Sequence, residues 1–170
     1  MEYYDVIAPG YADLHKEEQL EKYRLIQKHL DIGKNDKLLD VGSGTGFSSE
    51  IFRCEIMGIE PSREMLMEAR KNISRSAVYI QGKAEQLPFK NKTFDIILCV
   101  TAVHNFNEPK RALKEIKRVG RGKGAITIMK KARKAKELQT LVKKTFNIEK
   151  VIEEEKDIIL FYGTSYQPII

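Results

Sequence analysis

One acid and three glycines narrow what this chain can become more than any other feature. Asp40-Val41-Gly42-Ser43-Gly44-Thr45-Gly46 follows the short apolar run Lys37-Leu38-Leu39 and leads into a helical segment opening at Phe47. Glycine lets the backbone turn sharply and come close to a ligand. A helix starting near Gly46 sets free N–H groups beside the loop. Such a strand–loop–helix unit belongs in a parallel sheet, where ligands sit outside the carboxyl ends of the strands. A tight turn without a ligand is the plainer alternative. Three glycines at alternate positions after an acid argue against it.

The rest of the chain alternates between apolar runs and helical periods. Leu20, Tyr23, Ile26 and Leu30 mark one face of a helix from about His15 to Leu30, stopped by Gly33. Strand two is Ile56–Ile59, closed by Glu60-Pro61. Ser62 is an N-cap with Glu64 in the first turn, ahead of a stripe of Met65, Leu66, Ala69 and Ile73. Ala77–Ile80 reads as strand three, Leu87–Lys92 as a loop and Phe94–Val100 as strand four. Pro109 fits the first turn of a helix bearing Ala112, Leu113, Ile116 and Val119, which Gly120 and Gly122 end. Ala125–Met129 is strand five, and Lys134–Lys144 a helix with a narrow apolar stripe. Ile148–Ile152 and Ile158–Tyr162 are two strands joined too briefly to be anything but antiparallel.

The summed order, β-α-β-α-β-α-β-α-β-α-β-β, predicts an α/β fold. It is doubly wound, with a mostly parallel seven-stranded sheet, helices on both faces and an antiparallel C-terminal hairpin. One domain over 1–170 is expected. Residues 1–33 form an N-terminal cover and first helix, 34–133 a ligand-binding core, and 134–170 the last helix and hairpin.

Composition agrees: 170 residues, 42% apolar, can bury a core without disulfides. Cys54 and Cys99 lie in apolar runs and read as reduced core thiols of a cytoplasmic protein. No C-x-x-C spacing occurs and there are three histidines, so no metal site is expected. The N-terminus lacks the build of a signal peptide. No apolar run nears the ~20 residues that span a bilayer. The net charge of +6 is uneven, with 14 Lys/Arg and two acids, Glu115 and Glu137, in residues 110–144. A solvated basic face is favoured there. An anionic partner such as RNA is the alternative, though no aromatic between Asn107 and Thr145 offers a stacking platform.

A dinucleotide loop would read G-x-G-x-x-G. Its third glycine would fall at Phe47, and the spacing here is G-x-G-x-G. Asp40 before the loop suits a cationic amino-acid ligand better than a phosphate. Glu60, ending strand two, can accept hydrogen bonds from both hydroxyls of a ribose. As a surface acid at a helix start it has a blander explanation too.

These residues resemble class I S-adenosylmethionine-dependent methyltransferases. Leu38 to Gly46 is similar to their motif I, and Glu60 matches the motif II acid. Gly82-Lys83-Ala84-Glu85-Gln86-Leu87-Pro88-Phe89 resembles the G-D-A-E-x-L-P-F segment of the type 11 group, which includes quinone-biosynthesis C-methyltransferases. Phe94–Phe106 is similar to the group's strand-four motif, and Glu115–Val119 to the segment before its strand five. The resemblance covers roughly residues 1–130. It implies a Rossmann-like methyltransferase fold that binds S-adenosyl-L-methionine and releases S-adenosyl-L-homocysteine.

The residues implied to hold the cofactor are Asp40, Gly42, Ser43, Gly44, Gly46 and Glu60. Ala84 and Glu85 join them at the adenine, and Tyr11 as part of an N-terminal cover. Lys83 departs from the group, which has Asp there. Transfer is an in-line displacement in which the enzyme mainly positions its reactants. His104, after strand four, is the candidate base, with packing or capping as its alternative role. Thr101, Asn105 and Phe106 share its loop and shape the acceptor site. Lys130 and Lys131 lie at the same edge. A small-molecule acceptor is expected. The alternatives are a tRNA or protein acceptor with a partner subunit, a non-catalytic cofactor-binding module, and a nicotinamide dehydrogenase.

Overall fold

The computed structural model describes residues 2–71 and 77–163, with side chains from residue 15 onward. The strands are β1 (Lys37–Val41), β2 (Glu55–Glu60), β3 (Ala77–Gln81), β4 (Phe94–Cys99), β5 (Gly120–Met129), β6 (Ile148–Glu153) and β7 (Asp157–Tyr162). The helices are α1 (Glu2–His29), α2 (Ser48–Ile51), α3 (Arg63–Lys71), α4 (Pro109–Val119) and α5 (Ala135–Thr145). One 3-10 turn, Val103–Asn105, follows β4.

The strands form one sheet in the order β3-β2-β1-β4-β5-β7-β6. β1 to β5 pair in parallel, and β7 pairs antiparallel with both β5 and β6. The sheet is therefore the expected doubly wound one with an antiparallel hairpin. From β1 the chain winds through β2 to β3, then crosses to β4 on the other side of β1. The carboxyl ends of β1 and β4 thus open a crevice at the switch point.

Successive strand residues point to opposite faces. Leu38, Ile96, Leu98, Ile159 and Phe161 pack with Leu20, Tyr23 and Ile26 of α1 and Leu66 and Ala69 of α3. Leu39, Ile97, Cys99, Ile158 and Leu160 pack with Leu113 and Ile116 of α4 and Leu138 and Val142 of α5. Both faces are covered, which is why β4 and β7 read as continuous apolar runs.

The structure departs from the sequence reading at three points. α1 begins at Glu2 rather than near His15, and runs past Pro9 and Gly10, where helix breakers hid it. The β3–β4 crossover carries no helix, against the summed order, while its Leu87–Lys92 stretch is the loop expected. β5 starts at Gly120, five residues before the apolar run. Gly120 both closes α4 and opens β5, and Gly122, at φ +109°, falls where the β4–β5 register shifts. A bulge with a left-handed glycine extends the strand through residues that read as a helix stop.

Candidate functional site

β1 delivers the glycine loop to the crevice. The N–H groups of Gly42 and Ser43 both donate to the Ile59 carbonyl, at 2.8 and 3.1 Å. The loop is thereby stitched to β2 as it leaves the sheet. Gly42 has φ +75°, and a Cβ there would stand 2.4 Å from Ala102 Cβ, beyond β4. Glycine is required on both counts. Gly46 has φ +82°, and its carbonyl accepts from Tyr79 Oη at 3.0 Å.

Glu60 is buried and doubly held. Gly44 N–H donates to Oε2 and Ser62 N–H to Oε1, each at 3.0 Å. The two N–H bonds fix the direction of the carboxylate, a group that accepts at both of its oxygens. Ser62 Oγ in turn accepts from Met65 N–H at 3.2 Å, which is the expected N-cap of α3.

Asp40 lies fully buried beneath the loop. Its Oδ2 accepts from Tyr23 Oη at 3.0 Å, and its Oδ1 has no hydrogen-bond partner. Burial pushes its pKa up to about 6, against the pull of the neighbouring Ser48 hydroxyl and then of Tyr23.

These elements surround a cavity of about 410 Å³. Gly42, Ser43, Gly44 and Glu60 line it from the β1 and β2 side. Thr101, Ala102, Asn105 and Phe106 line it from the segment after β4, and Gln19 and Tyr23 from α1. A second cavity of about 160 Å³ shares Gly42, Pro61, Asn105 and Phe106 with the first. It adds Lys83, Ala84 and Glu85.

The expected site residues therefore separate. Gly42, Ser43, Gly44 and Glu60 line the main cavity, while Ala84 and Glu85 line the smaller one. Asp40 reaches the site through Tyr23, and Gly46 anchors the loop from behind. Tyr11 lies outside the residues whose side chains are described. Glu85 Oε1 accepts from the N–H groups of Asn107 and Glu108, at 2.9 and 3.2 Å, and so holds the start of α4. His104 lines neither cavity. Its Nδ1 is buried without a partner, and burial lowers its pKa. Thr101 and Asn105, from the same loop, face the main cavity instead.

Sequence reasoning missed Gln19 and the site role of Tyr23, which shares the apolar stripe of α1 with core residues. It also missed a clamp. Glu115 and Arg118 pair at 2.7 Å. Glu115 accepts from Leu87 N–H at 3.0 Å, and Arg118 donates to the Leu87 and Phe89 carbonyls at 3.0 and 2.7 Å. Their i,i+3 spacing was the available signal. The basic region is partly spent inside the fold. Arg118 serves this clamp, Arg121 pairs with Asp95, Lys117 donates to the Thr145 carbonyl and Lys130 pairs with Glu153.

Among the described residues, no His/Cys/Asp/Glu cluster fits a metal and no helix is long and apolar enough to cross a membrane. A glycine cradle, an unpartnered buried carboxylate oxygen and a doubly oriented glutamate fit a ligand that joins a cation to a ribose.

Fold and crevice together define a Rossmann-like α/β domain. A family model described as a methyltransferase domain, of type 11, matches residues 39–128, more than half of the chain. The chain belongs to that family, within the class I S-adenosylmethionine-dependent methyltransferases.

An uncharacterised protein of Methanocaldococcus jannaschii is 37% identical over 120 residues, covering 69% of this chain and 46% of its own length. A demethylmenaquinone methyltransferase of Thermotoga maritima is 30% identical over 130 residues, covering 64% and 56%. The chain spans about half the length of the curated relatives it matches. The crystal structure of an S-adenosylmethionine-dependent methyltransferase from Aquifex aeolicus superposes with a TM-score of 0.77 at 18% identity. It covers 93% of this chain and 97% of that one, a likeness of fold.

Proposed function

We propose that this chain is an S-adenosylmethionine-dependent methyltransferase acting on a small-molecule acceptor in the cytoplasm. The observation that carries the cofactor is Glu60, fixed by Gly44 N–H and Ser62 N–H at the mouth of the glycine loop. A carboxylate held in this way suits the two ribose hydroxyls. Asp40, beneath the loop and bonded to Tyr23, supplies the negative charge that favours the ligand ammonium. Ala84 and Glu85 in the smaller cavity take the adenine end. The relative named demethylmenaquinone methyltransferase supports a small acceptor. Two buried free thiols support a reducing compartment.

Bound S-adenosylmethionine supplies an electrophilic methyl group on a sulfonium whose leaving group is neutral. The chain then has to orient an acceptor and exclude water, and Thr101, Asn105 and Phe106 border the place to do so. Calorimetry with S-adenosylmethionine, S-adenosylhomocysteine and NAD tests the reading. The two sulfur ligands are expected to bind. Binding of NAD alone overturns it. A labelled-methyl assay on lysate split into small-molecule, RNA and protein fractions identifies the acceptor class. Label confined to RNA or protein sinks the small-molecule assignment.

Asp40 makes the binding pH-dependent. A ligand ammonium pairs with its ionised carboxylate, which predominates above about pH 6. Affinity for S-adenosylhomocysteine is expected to rise between pH 5 and 7 and then level off. Asp40→Asn should flatten that rise and weaken binding about tenfold or more. The ligand-free fold responds with the opposite sign. A carboxyl raised from 3.8 to about 6 binds its proton more tightly when folded, so its contribution to stability falls as pH rises through that window. An affinity that is flat from pH 5 to 8 in the wild type would remove Asp40 from the ligand.

His104 is the base that this loop offers. It stands off the cavity wall and its basicity is lowered by burial. His104→Ala is therefore expected to slow transfer by about tenfold, below the ~10²–10⁴ typical of a direct base. Affinity for S-adenosylhomocysteine should be unchanged. A wild-type rate would assign His104 to packing.

A further inference from the structure

The cations of residues 110–144 divide into those that the fold uses and those that it leaves. Arg118, Arg121, Lys117 and Lys130 are bonded within the fold. Arg111 pairs with Glu108 at 3.5 Å, and Lys123 donates to the Asp31 carbonyl. The other eight are all exposed, and among the described residues their side chains have no hydrogen bond or ion pair. Lys110 and Lys114 stand on α4. Lys131, Arg133 and Lys134 follow β5, and Lys136, Lys143 and Lys144 stand on α5. Of the two acids in the stretch, Glu115 is held by Arg118, which leaves Glu137 as the exposed one.

These residues share one side of the molecule. α4 and α5 pack on the same face of the sheet, through Leu113 and Ile116 and through Leu138 and Val142. Lys110 and Lys114 are about one turn apart on α4, and Lys136 and Lys143 about two turns apart on α5. The opposite face carries α1 and α3. There Lys22 pairs with Asp157 at 2.7 Å and with Glu18 at 3.0 Å, and Lys71 pairs with Glu68 at 2.6 Å. Outside residues 110–144 the sequence holds 16 basic and 22 acidic residues. The charge is therefore sided, and a sided charge orients a molecule in the field of an anionic partner.

What the face lacks selects the partner. The large apolar side chains exposed among the described residues are Met67, Val78 and Val151, and none of them is on α4 or α5. A stable protein interface has an apolar centre enriched in aromatics. A nucleic-acid site favours arginine forks and stacking rings. Seven of the eight cations are lysines, and no aromatic occurs between Asn107 and Thr145. An anionic bilayer asks for neither. It is a plane of diffuse charge, which hydrated lysines meet without inserting. The face also borders the site. Lys110 is four residues past Phe106, a cavity residue, and Lys131, Arg133 and Lys134 follow the carboxyl end of β5. Seated on a bilayer, it sets the rim of the crevice beside the lipid headgroups.

We propose that the lysine face of α4, α5 and the turn after β5 docks this chain on an anionic lipid bilayer, by charge and without insertion. The docking is reversible and salt-sensitive, because the attraction falls off within a Debye length. It goes beyond the methyl-donor reading, since it needs no cofactor, and either can fail while the other stands.

Flotation of the full chain with two kinds of vesicle tests it: phosphatidylcholine alone, and an equimolar mixture of phosphatidylcholine and phosphatidylglycerol. The chain is expected to float with the mixture and not with phosphatidylcholine. It should be released in about 1 M salt, where the Debye length is about 3 Å. Each basic residue at such a surface is worth about fivefold in affinity. Lys136→Gln, Lys143→Gln and Lys144→Gln together should therefore weaken binding about 100-fold. Lys28→Gln, Lys34→Gln and Lys90→Gln together make the same change in net charge at exposed residues elsewhere, and should cost less than about fivefold. Equal losses in the two triple variants would reduce the effect to net charge, and the proposal fails. It fails also if the wild type floats with phosphatidylcholine alone or stays bound in high salt. An RNA duplex that the wild type binds more tightly than the mixed vesicles, and that the α5 variant releases, gives the face to nucleic acid and overturns the bilayer assignment.

Discussion

Gly42→Ala is expected to abolish detectable S-adenosylhomocysteine binding and to cost the fold about 2 kcal/mol. Two separate penalties meet at this residue. Its φ of +75° is left-handed, where an L side chain strains the backbone. Its Cβ would also stand 2.4 Å from Ala102 Cβ, a distance that atoms do not tolerate. Ala102 cannot retreat cheaply, being buried just past β4 at the N-cap of the 3-10 turn. The clash therefore spreads the two walls of the crevice apart.

Gly44→Ala is the control. It has φ +52° with nothing within 4 Å of the added methyl, so it carries the strain alone, about 1 kcal/mol. Thermal unfolding should rank Gly42→Ala below Gly44→Ala, by a few degrees for a domain of this size, ~2–4 °C per kcal/mol. Calorimetry should find binding lost in the first. A Gly42→Ala protein as stable as Gly44→Ala would refute the close-approach argument.

What was legible in the sequence had local causes. The glycine loop, the Ser62 cap and the apolar strands each depend on neighbours a few residues away, and each appears where the pattern put it. The loop at Leu87–Lys92 was legible, but not what holds it, because Glu115 and Arg118 lie some 30 residues on. Gln19 and Tyr23 were hidden for a different reason. One stripe of α1 both packs on the sheet and closes the cavity, and periodicity cannot separate the two uses. Glu85 shows the opposite ambiguity. A motif acid reads as a ligand contact, yet one of its oxygens holds the start of α4. His104 and Thr101 are three residues apart on one loop, and periodicity does not tell that Thr101, at φ +54°, lines the cavity while His104 does not.

The other large effect falls away from the ligand. Asp157→Ala should destabilise the protein by about 3 kcal/mol, the cost of leaving one buried charge without its partner. Lys22 is the charge left behind, with its side chain 9% exposed. Glu18 stays bonded to it, which keeps the loss toward the lower end of that class. Burial from bulk solvent also means that added salt should recover little. The midpoint of thermal unfolding is then expected to drop by ~6–12 °C.

Replacing both partners, as Lys22→Met with Asp157→Leu, removes the stranded charge and should regain most of the stability, since apolar pairs of similar volume substitute well for buried ion pairs. That recovery is the diagnostic. If the double variant is no more stable than Asp157→Ala, the loss came from β7 and not from the ion pair.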